Sequence, residues 1–238
     1  MTADKHMAAL VRAAVEQYQM IEAGDRIAVG VSGGKDSLAL LVLLAELRRF
    51  YPAPFSLTAI TLDPCFDGVP GDYSAVARLC EELEVPYLCK PTDLWQVVFV
   101  QRQEKNPCSL CARLRRGTLH KAAVETGCNA VALGHHRDDA AQTLLLNLLG
   151  GTLDCFAPNC YLDRRGLRLI RPLVFVPEAE IAQFARRREL PVVPSRCPVN
   201  GETERARVAQ LLTQLHGTYG PVEQKLIHAM QKSGLHGW

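Results

Sequence analysis

Long apolar stretches are absent from this sequence. The longest uninterrupted run, Leu38–Ala45, has eight residues. A helix needs about 20 to cross a bilayer, so no membrane span is expected. The first ten residues, MTADKHMAAL, mix acid and base and contain no apolar signal core. Nothing there suggests export, and a cytoplasmic location is expected. Net charge is almost nil, +2, and aromatic residues are scarce at 6%. There is no internal repeat, low-complexity tract or Pro/Ser-rich linker. With 238 residues, 48% of them hydrophobic and 22% charged, the chain is neither disordered, collagenous nor a coiled coil. One domain spanning 1–238 is expected, large enough to bury a core without staples.

What charge there is lies unevenly. Residues 1–100 carry 8 Lys/Arg against 13 Asp/Glu, and residues 101–238 carry 19 against 12. A basic second half is what contact with a polyanion requires, and two solvated faces would look the same. The nine cysteines are odd in number and no export signal accompanies them. A disulfide framework is therefore not expected, and clustered cysteines point to metal binding or catalysis.

Periodicity gives an N-terminal helix over about 5–22, an α/β core over about 25–190 and a helical tail over about 204–232. In the core, apolar runs at Ile27–Val31, Phe55–Leu62, Pro86–Lys90 and Ala130–Leu133 read as buried strands. Helical patterns alternate with them, which predicts a Rossmann-like parallel sheet flanked by helices. Past Gly150-Gly151 the pattern becomes irregular until a helix over Pro177–Glu189. Two more helices follow, at Glu204–His216 and Pro221–Gln231.

The most informative segment is Gly30-Val31-Ser32-Gly33-Gly34-Lys35-Asp36-Ser37, between a strand and a helix. Glycines let backbone N–H groups approach a ligand, and the helix N-terminus adds positive potential, so the turn is an anion nest. Lys35 adds a charge, and Ser32 and Ser37 add hydroxyls. The spacing does not fit GxxxxGK[ST], which rejects the usual P-loop. Leu133-Gly134-His135-His136-Arg137-Asp138-Asp139 repeats the arrangement at another strand end. Asp138 and Asp139 could merely complement the helix dipole, or could place Mg²⁺, which binds through few carboxylates plus substrate phosphates.

Cys108 and Cys111 stand at i and i+3 at a predicted helix start, where thiolates form readily. Residues 101–121 add six Lys/Arg, Lys105 among them. The pair could be buried small residues, a redox pair or half of a metal site. Cys197 lies in an apparent loop. Three thiolates could hold a [4Fe–4S] cluster with one iron free, whereas structural zinc needs a fourth ligand. Cys65, Cys80, Cys89 and Cys128 fall in or beside predicted elements and read as core residues.

The glycine-rich segment resembles the SGGxDS signature of the PP-loop ATP pyrophosphatases, and the second segment matches the GHHxDD pattern of their tRNA-modifying branch. Together with MIEAGDR, CSLCARLRRG, LGHHRDDAAQTLLLN, IRPL and the placement of Cys197, the chain resembles the tRNA 2-thiocytidine synthetase family over about residues 8–232. The resemblance implies an α/β enzyme that uses ATP with Mg²⁺, adenylates a base carbonyl with loss of pyrophosphate, and thiolates cytidine in a tRNA anticodon loop. It implies nucleotide contacts from Ser32, Gly33, Gly34, Lys35, Asp36, Ser37, Gly134, His135, Asp138 and Asp139. Asp63, at the end of the second strand, would line the adenine and ribose pocket, or would be a plain turn residue before Pro64. Asp138 and Asp139 would serve magnesium, and Cys108, Cys111 and Cys197 would hold a [4Fe–4S] cluster. Lys35, Asp36 and the three cysteines are the residues implied in catalysis. The implied partners are tRNA and a sulfur donor, a cysteine desulfurase or sulfide, with a homodimer left open. Sulfur could ride on the open iron or on a cysteine persulfide. Lysidine synthetase and a non-catalytic ATP- or cluster-binding module are the competing readings.

Arginine groups at 113/115/116, 164/165/168 and 186–188 could contact phosphates. The last group reads better as a solvated helix face. Few aromatics interleave with them, so the sequence offers a basic surface but no stacking platform.

Overall fold

The computed structural model describes residues 3–103, 107–199 and 204–238; Lys105 lies outside them. The strands are β1 (Arg26–Gly30), β2 (Ser56–Asp63), β3 (Tyr87–Pro91), β4 (Ala130–Ala132), β5 (Asn159–Leu162) and β6 (Leu167–Ile170). They form one sheet in the order β3-β2-β1-β4-β6-β5. All neighbours are parallel except β5, which runs antiparallel to β6 at the edge. Strand order reverses between β1 and β4, and a ligand in such a sheet sits outside the carboxyl ends at that reversal. The glycine-rich segment follows β1 and Gly134-His135 follows β4, so both predicted motifs stand there.

Alternation along the strands divides the core into two layers. Ile27, Val29, Ala130 and Ala132 join one apolar cluster, while Ala28 and Val131 join the other. The first layer is covered by α1 (Ala3–Gln17), α2 (Lys35–Arg48), α3 (Ser74–Glu82) and α6 (Glu178–Arg187), with α5 (Arg137–Leu149) and α8 (Val222–Ser233) beside them. In the second layer, Leu119, Ala122 and Ala123 of α4 (Pro107–Glu125) pack on Ile60, Val131 and Leu169. The eight-residue apolar run explains itself here. Every residue from Leu38 to Ala45 in α2 is buried, because the helix is enclosed by the sheet and by α1 and α6. α7 (Glu204–Tyr219) packs against α5 and α8 through Val208 and Leu212.

Three expectations need correction. The sheet is parallel as expected except at its edge, where the stretch read as irregular contains the β5–β6 hairpin, closed by a left-handed Gly166. Its strands have four residues each and mix polar with apolar positions, too short for a period to emerge. The N-terminal helix ends at Gln17 instead of 22, because Gln19 turns left-handed and sends Met20 and Ile21 into the core. Of the four cysteines read as core, Cys80 and Cys128 are buried, but Cys65 is half-buried and Cys89 is exposed, the latter on edge strand β3.

Candidate active site

The loop after β1 is folded by its own hydroxyls. Ser37 Oγ donates to Gly34 O (2.9 Å) and accepts from Ser32 N (3.1 Å). Ser32 Oγ lies 3.2 Å from Ser37 Oγ and accepts from Gly34 N (3.3 Å). Gly34 is the N-cap of α2 and supplies no side-chain cap, so the first-turn N–H groups are left for an anion. Gly33 has φ +84°, and a Cβ built there would stand 2.9 Å from Val193 Cβ. Val193 N also donates to Gly33 O (2.9 Å), so the loop carrying Cys197 is bonded directly to the phosphate loop. Gly33→Ala is therefore expected to cost about 1–3 kcal/mol of stability and to weaken ATP binding about tenfold. An ATP titration and a thermal melt check this; wild-type values in both would contradict the tight seat.

At the neighbouring strand end, Gly134 approaches the start of α2 so closely that a Cβ would sit 3.2 Å from Asp36 O and Ser37 N. The two histidines that follow differ in role. His136 is buried and caps α5: its Nδ1 accepts from Asp139 N (3.4 Å), while its own N–H donates to Asp139 Oδ2 (3.1 Å). His135 accepts from Arg171 Nε at Nδ1 (3.3 Å) and packs against Phe156 in a tilted pair, ring centres 5.0 Å apart. That bond assigns the proton to Nε2. Burial, with Arg171 and Arg205 nearby, pushes His135 down to about 3, so it meets the cavity as a neutral ring.

Lys35 Nζ reaches across to Glu178 Oε1 (2.8 Å) at the start of α6 and contacts Asp36 Oδ1 (3.0 Å). Burial opposes its charge, but these two carboxylates outweigh burial and raise Lys35. Lys35 in turn lowers Glu178. Asp138 Oδ2 accepts from Glu178 N (2.9 Å), and Asp139 Oδ1 pairs with Arg205 (3.0 Å). Asp36 Oδ1 is buried and receives no hydrogen bond; beyond the Lys35 ion-pair contact, only His136 Nε2, at 3.9 Å, is near. The Lys35 ammonium holds that oxygen here; magnesium, which takes only one or two carboxylates and otherwise binds phosphate oxygens and water, would need no more than Asp36 with Asp138 or Asp139.

Cys108 and Cys111 occupy the first turn of α4, which opens on Pro107. Burial raises the Cys111 thiol, Arg115 lowers it, and Cys197 and Cys108 raise it again. Cys108 and Cys197 thus both lie within electrostatic reach of Cys111, the latter from 86 residues further along the chain. Arg196 holds the Cys197 loop in place by donating to Phe66 O (3.0 Å) and Val69 O (3.4 Å). Among the described residues no group of three or more His, Cys, Asp or Glu is arranged for a single metal ion. An iron–sulfur cluster spreads its thiolates over separate irons, so Cys108, Cys111 and Cys197 could serve it without being arranged about a single ion.

A cavity of about 350 Å³ lies between the loop and α4. Ser32 lines it from the loop, Asp36 and Ser37 from the first turn of α2, Gly134 and His135 from the turn after β4, and Arg116 and His120 from α4. Gly33, Gly34, Lys35, Asp138 and Asp139 do not line it. Asp63 does not line it either. Its buried carboxylate accepts from Cys65 N (2.9 Å) and Gly71 N (2.8 Å), holding the loop after β2. His120 is buried, its Nε2 has no partner, and burial with Arg165 and Arg116 pushes it down to about 4. Below pH 6.5 an unfolded His120 binds a proton that the folded chain refuses, so stability declines as pH falls toward 4. His120→Gln is expected to make that decline shallower by up to about 1.4 kcal/mol per pH unit. Urea melts across the range decide it; an unchanged slope would contradict a neutral buried His120.

Motif reading does not single out Glu178, Arg171 or His120 as site residues, and it gives Arg116 only within a basic group. Arg171 sits in IRPL, and a buried arginine after a strand end is the one signal that could have flagged it.

A PP-loop domain profile matches residues 4–215. The tRNA-cytidine(32) 2-sulfurtransferase of Geobacter sulfurreducens is 42% identical over 221 residues, covering 91% of this chain and 85% of its own length. That of Pelobacter propionicus is 41% identical over 221 residues, covering 91% and 81%. Among solved structures, the U34-tRNA thiolase NcsA from Methanococcus maripaludis, with its [4Fe-4S] cluster, superposes with a TM-score of 0.77 at 25% identity, over 94% of this chain and 77% of that one. An NH3-dependent NAD synthetase from Campylobacter jejuni shares the fold, with a TM-score of 0.50 at 17% identity over 100% and 97% of the two chains.

Proposed function

The chain belongs to the PP-loop family and, within it, to the tRNA-cytidine(32) 2-sulfurtransferases, and we propose from this that it converts cytidine 32 of tRNA to 2-thiocytidine at the expense of ATP. The observation that carries the reading is the Val193–Gly33 hydrogen bond, which couples the loop of Cys197 to the loop that would hold the triphosphate. Adenylation and sulfur delivery thereby share one site.

In this reading Ser32, Gly33, Gly34 and Ser37 cradle the phosphates with backbone N–H groups and hydroxyls. Lys35 leaves Glu178 to meet the β- and γ-phosphates as pyrophosphate departs. Asp36, Asp138 and Asp139 would hold Mg²⁺, which neutralises charge on the triphosphate. Gly134 gives the nucleotide room beside α2, and neutral His135 donates from Nε2 without adding charge. Asp63 acts by holding the wall of the pocket after β2. The cytidine C2 oxygen attacks the α-phosphorus, and the base becomes an O-adenylate; sulfur then adds at C2 and AMP leaves with the oxygen. Cys108, Cys111 and Cys197 would hold a [4Fe–4S] cluster, which supplies an iron open to sulfur. The sulfur source is sulfide, or a cysteine desulfurase whose persulfide sulfur is brought to the sulfide level by two electrons from an external thiol reductant. The chain acts as one domain in the cytoplasm, and a homodimer is compatible with it. No helix among the described residues is long and apolar enough to cross a membrane.

Anaerobically purified protein, assayed for iron and sulfide and then for pyrophosphate release with and without bulk tRNA, tests the reading. Iron- and sulfide-loaded protein with tRNA-stimulated release is expected. Iron-free protein, or release indifferent to tRNA, would contradict it.

A further inference from the structure

We propose that the surface where α4 meets the β5–β6 turn, built from Arg113, Arg116, Tyr161 and Arg165, grips the RNA chain; the proposal rests on the tRNA reading above. These residues surround a cavity of about 470 Å³. Arg116 and His120 line this cavity and the nucleotide cavity alike, so an RNA strand held here abuts the site of adenylation.

The grouping of unpaired charge marks this surface. Several arginines elsewhere are spent internally: Arg168 on Glu22 and Asp25, Arg187 on Asp4, Arg188 on Asp4 and Glu46, Arg205 on Asp139. Arg26, Arg49, Arg78 and Arg186 also lack an ion pair among the described residues, but they stand apart, on β1, after α2, on α3 and on α6. The groups read from sequence as phosphate contacts thus lose Arg168, and Arg187 and Arg188 as well. Among the described residues Arg113, Arg116 and Arg165 form no ion pair. Arg165 is fixed against α4 by donating to Gly117 O (3.3 Å). Asp163 is the one acid lining the cavity; further along α4, Glu125 is taken by Lys90 (2.8 Å) and Lys121 (3.8 Å). Unpaired guanidinium groups on one face of a nearly neutral chain call for an external anion, and their planar geometry suits phosphate.

Charge alone would serve an acidic protein as well. Two further features favour RNA. Tyr161 is 62% exposed although its strand is paired, and its ring stands beside the arginines. Exposed aromatics among cations are stacking platforms for unpaired bases. His120 is 3% exposed with Nε2 unpartnered at the cavity wall, a neutral hydrogen-bonding group of the kind that meets a base or ribose. The sequence separates Tyr161 from Arg113 by 48 positions, so no linear pattern revealed the platform.

Filter binding of bulk tRNA across a salt series, with Arg113→Glu/Arg165→Glu, Tyr161→Ala and Tyr161→Phe, tests this. The double variant is expected to bind more than tenfold more weakly, with its log K against log salt slope reduced by roughly 1.4, two phosphate contacts at ~0.7 each. Tyr161→Ala is expected to lose about tenfold with the slope unchanged, and Tyr161→Phe to bind as wild type. ATP affinity should be unaltered in all three, which reports an intact fold. Wild-type tRNA affinity and slope in the double variant and Tyr161→Ala would overturn the surface while leaving the sulfurtransferase reading in place, as an acidic-protein site would. Loss of ATP affinity alongside tRNA affinity would also overturn it. Failure of the wild-type protein to bind tRNA would overturn both readings.

Discussion

Lys35→Ala is expected to reduce tRNA-dependent pyrophosphate release by about 100- to 1,000-fold, the usual effect of removing one preorganised charge from a reacting phosphate. Two consequences of the deletion act together. The cation that would face the leaving pyrophosphate is gone, and Asp36 and Glu178 lose the ammonium that separates them (3.0 and 2.8 Å). Anionic triphosphate would then enter beside two uncompensated carboxylates. The fold should survive, because the Lys35 side chain lies at the rim of the apolar core, about a third exposed. Lys35→Arg is expected to recover only part of the rate, since a planar fork replaces a point charge. Pyrophosphate release by Lys35→Ala at the wild-type rate, with an unchanged melt, would remove Lys35 from the phosphate site.

Cys197→Ala is expected to abolish sulfur transfer while sparing adenylation. If Cys197 were only a packed thiol, its removal would cost on the order of 1 kcal/mol and leave iron content alone. As one of three anchors its loss should instead make the cluster labile. The brown absorbance of the anaerobic protein should fall and 2-thiocytidine should vanish. Pyrophosphate release should persist, because the Val193–Gly33 bond that supports the phosphate loop is made by backbone and survives the substitution. Full iron with full sulfur transfer would return Cys108 and Cys111 to a redox pair or a structural half-site.

Sequence legibility followed the range of the interactions. The Gly33-Gly34-Lys35 loop could be read because its chemistry is local: the hydroxyls, the positive φ and the helix start all lie within eight residues. His136 and Asp139, an N-cap and its third residue, are equally local, yet the motif reads as a metal or helix-dipole pair and the cap is seen only in the fold. Glu178 could not be read, because it meets Lys35 from 143 residues away. Arg171 could be seen as part of a motif but not as the partner of His135, 36 residues before it. Asp63 shows the reverse. The family resemblance gives it to the adenine and ribose pocket, with a plain turn residue as the alternative, and the backbone of Cys65 and Gly71 occupies its oxygens. The β5–β6 hairpin escaped periodicity and took with it the reason that Tyr161 lies beside Arg113 and Arg165.

The most direct measurement is nucleoside mass spectrometry of tRNA incubated anaerobically with the cluster-loaded protein, ATP, Mg²⁺ and sulfide. The expected result is 2-thiocytidine matched one-to-one by AMP and pyrophosphate, and none when ATP is omitted. Thiolated cytidine formed without ATP, or AMP and pyrophosphate released with tRNA present and no thiolated cytidine, would contradict a site that couples adenylation to sulfur delivery.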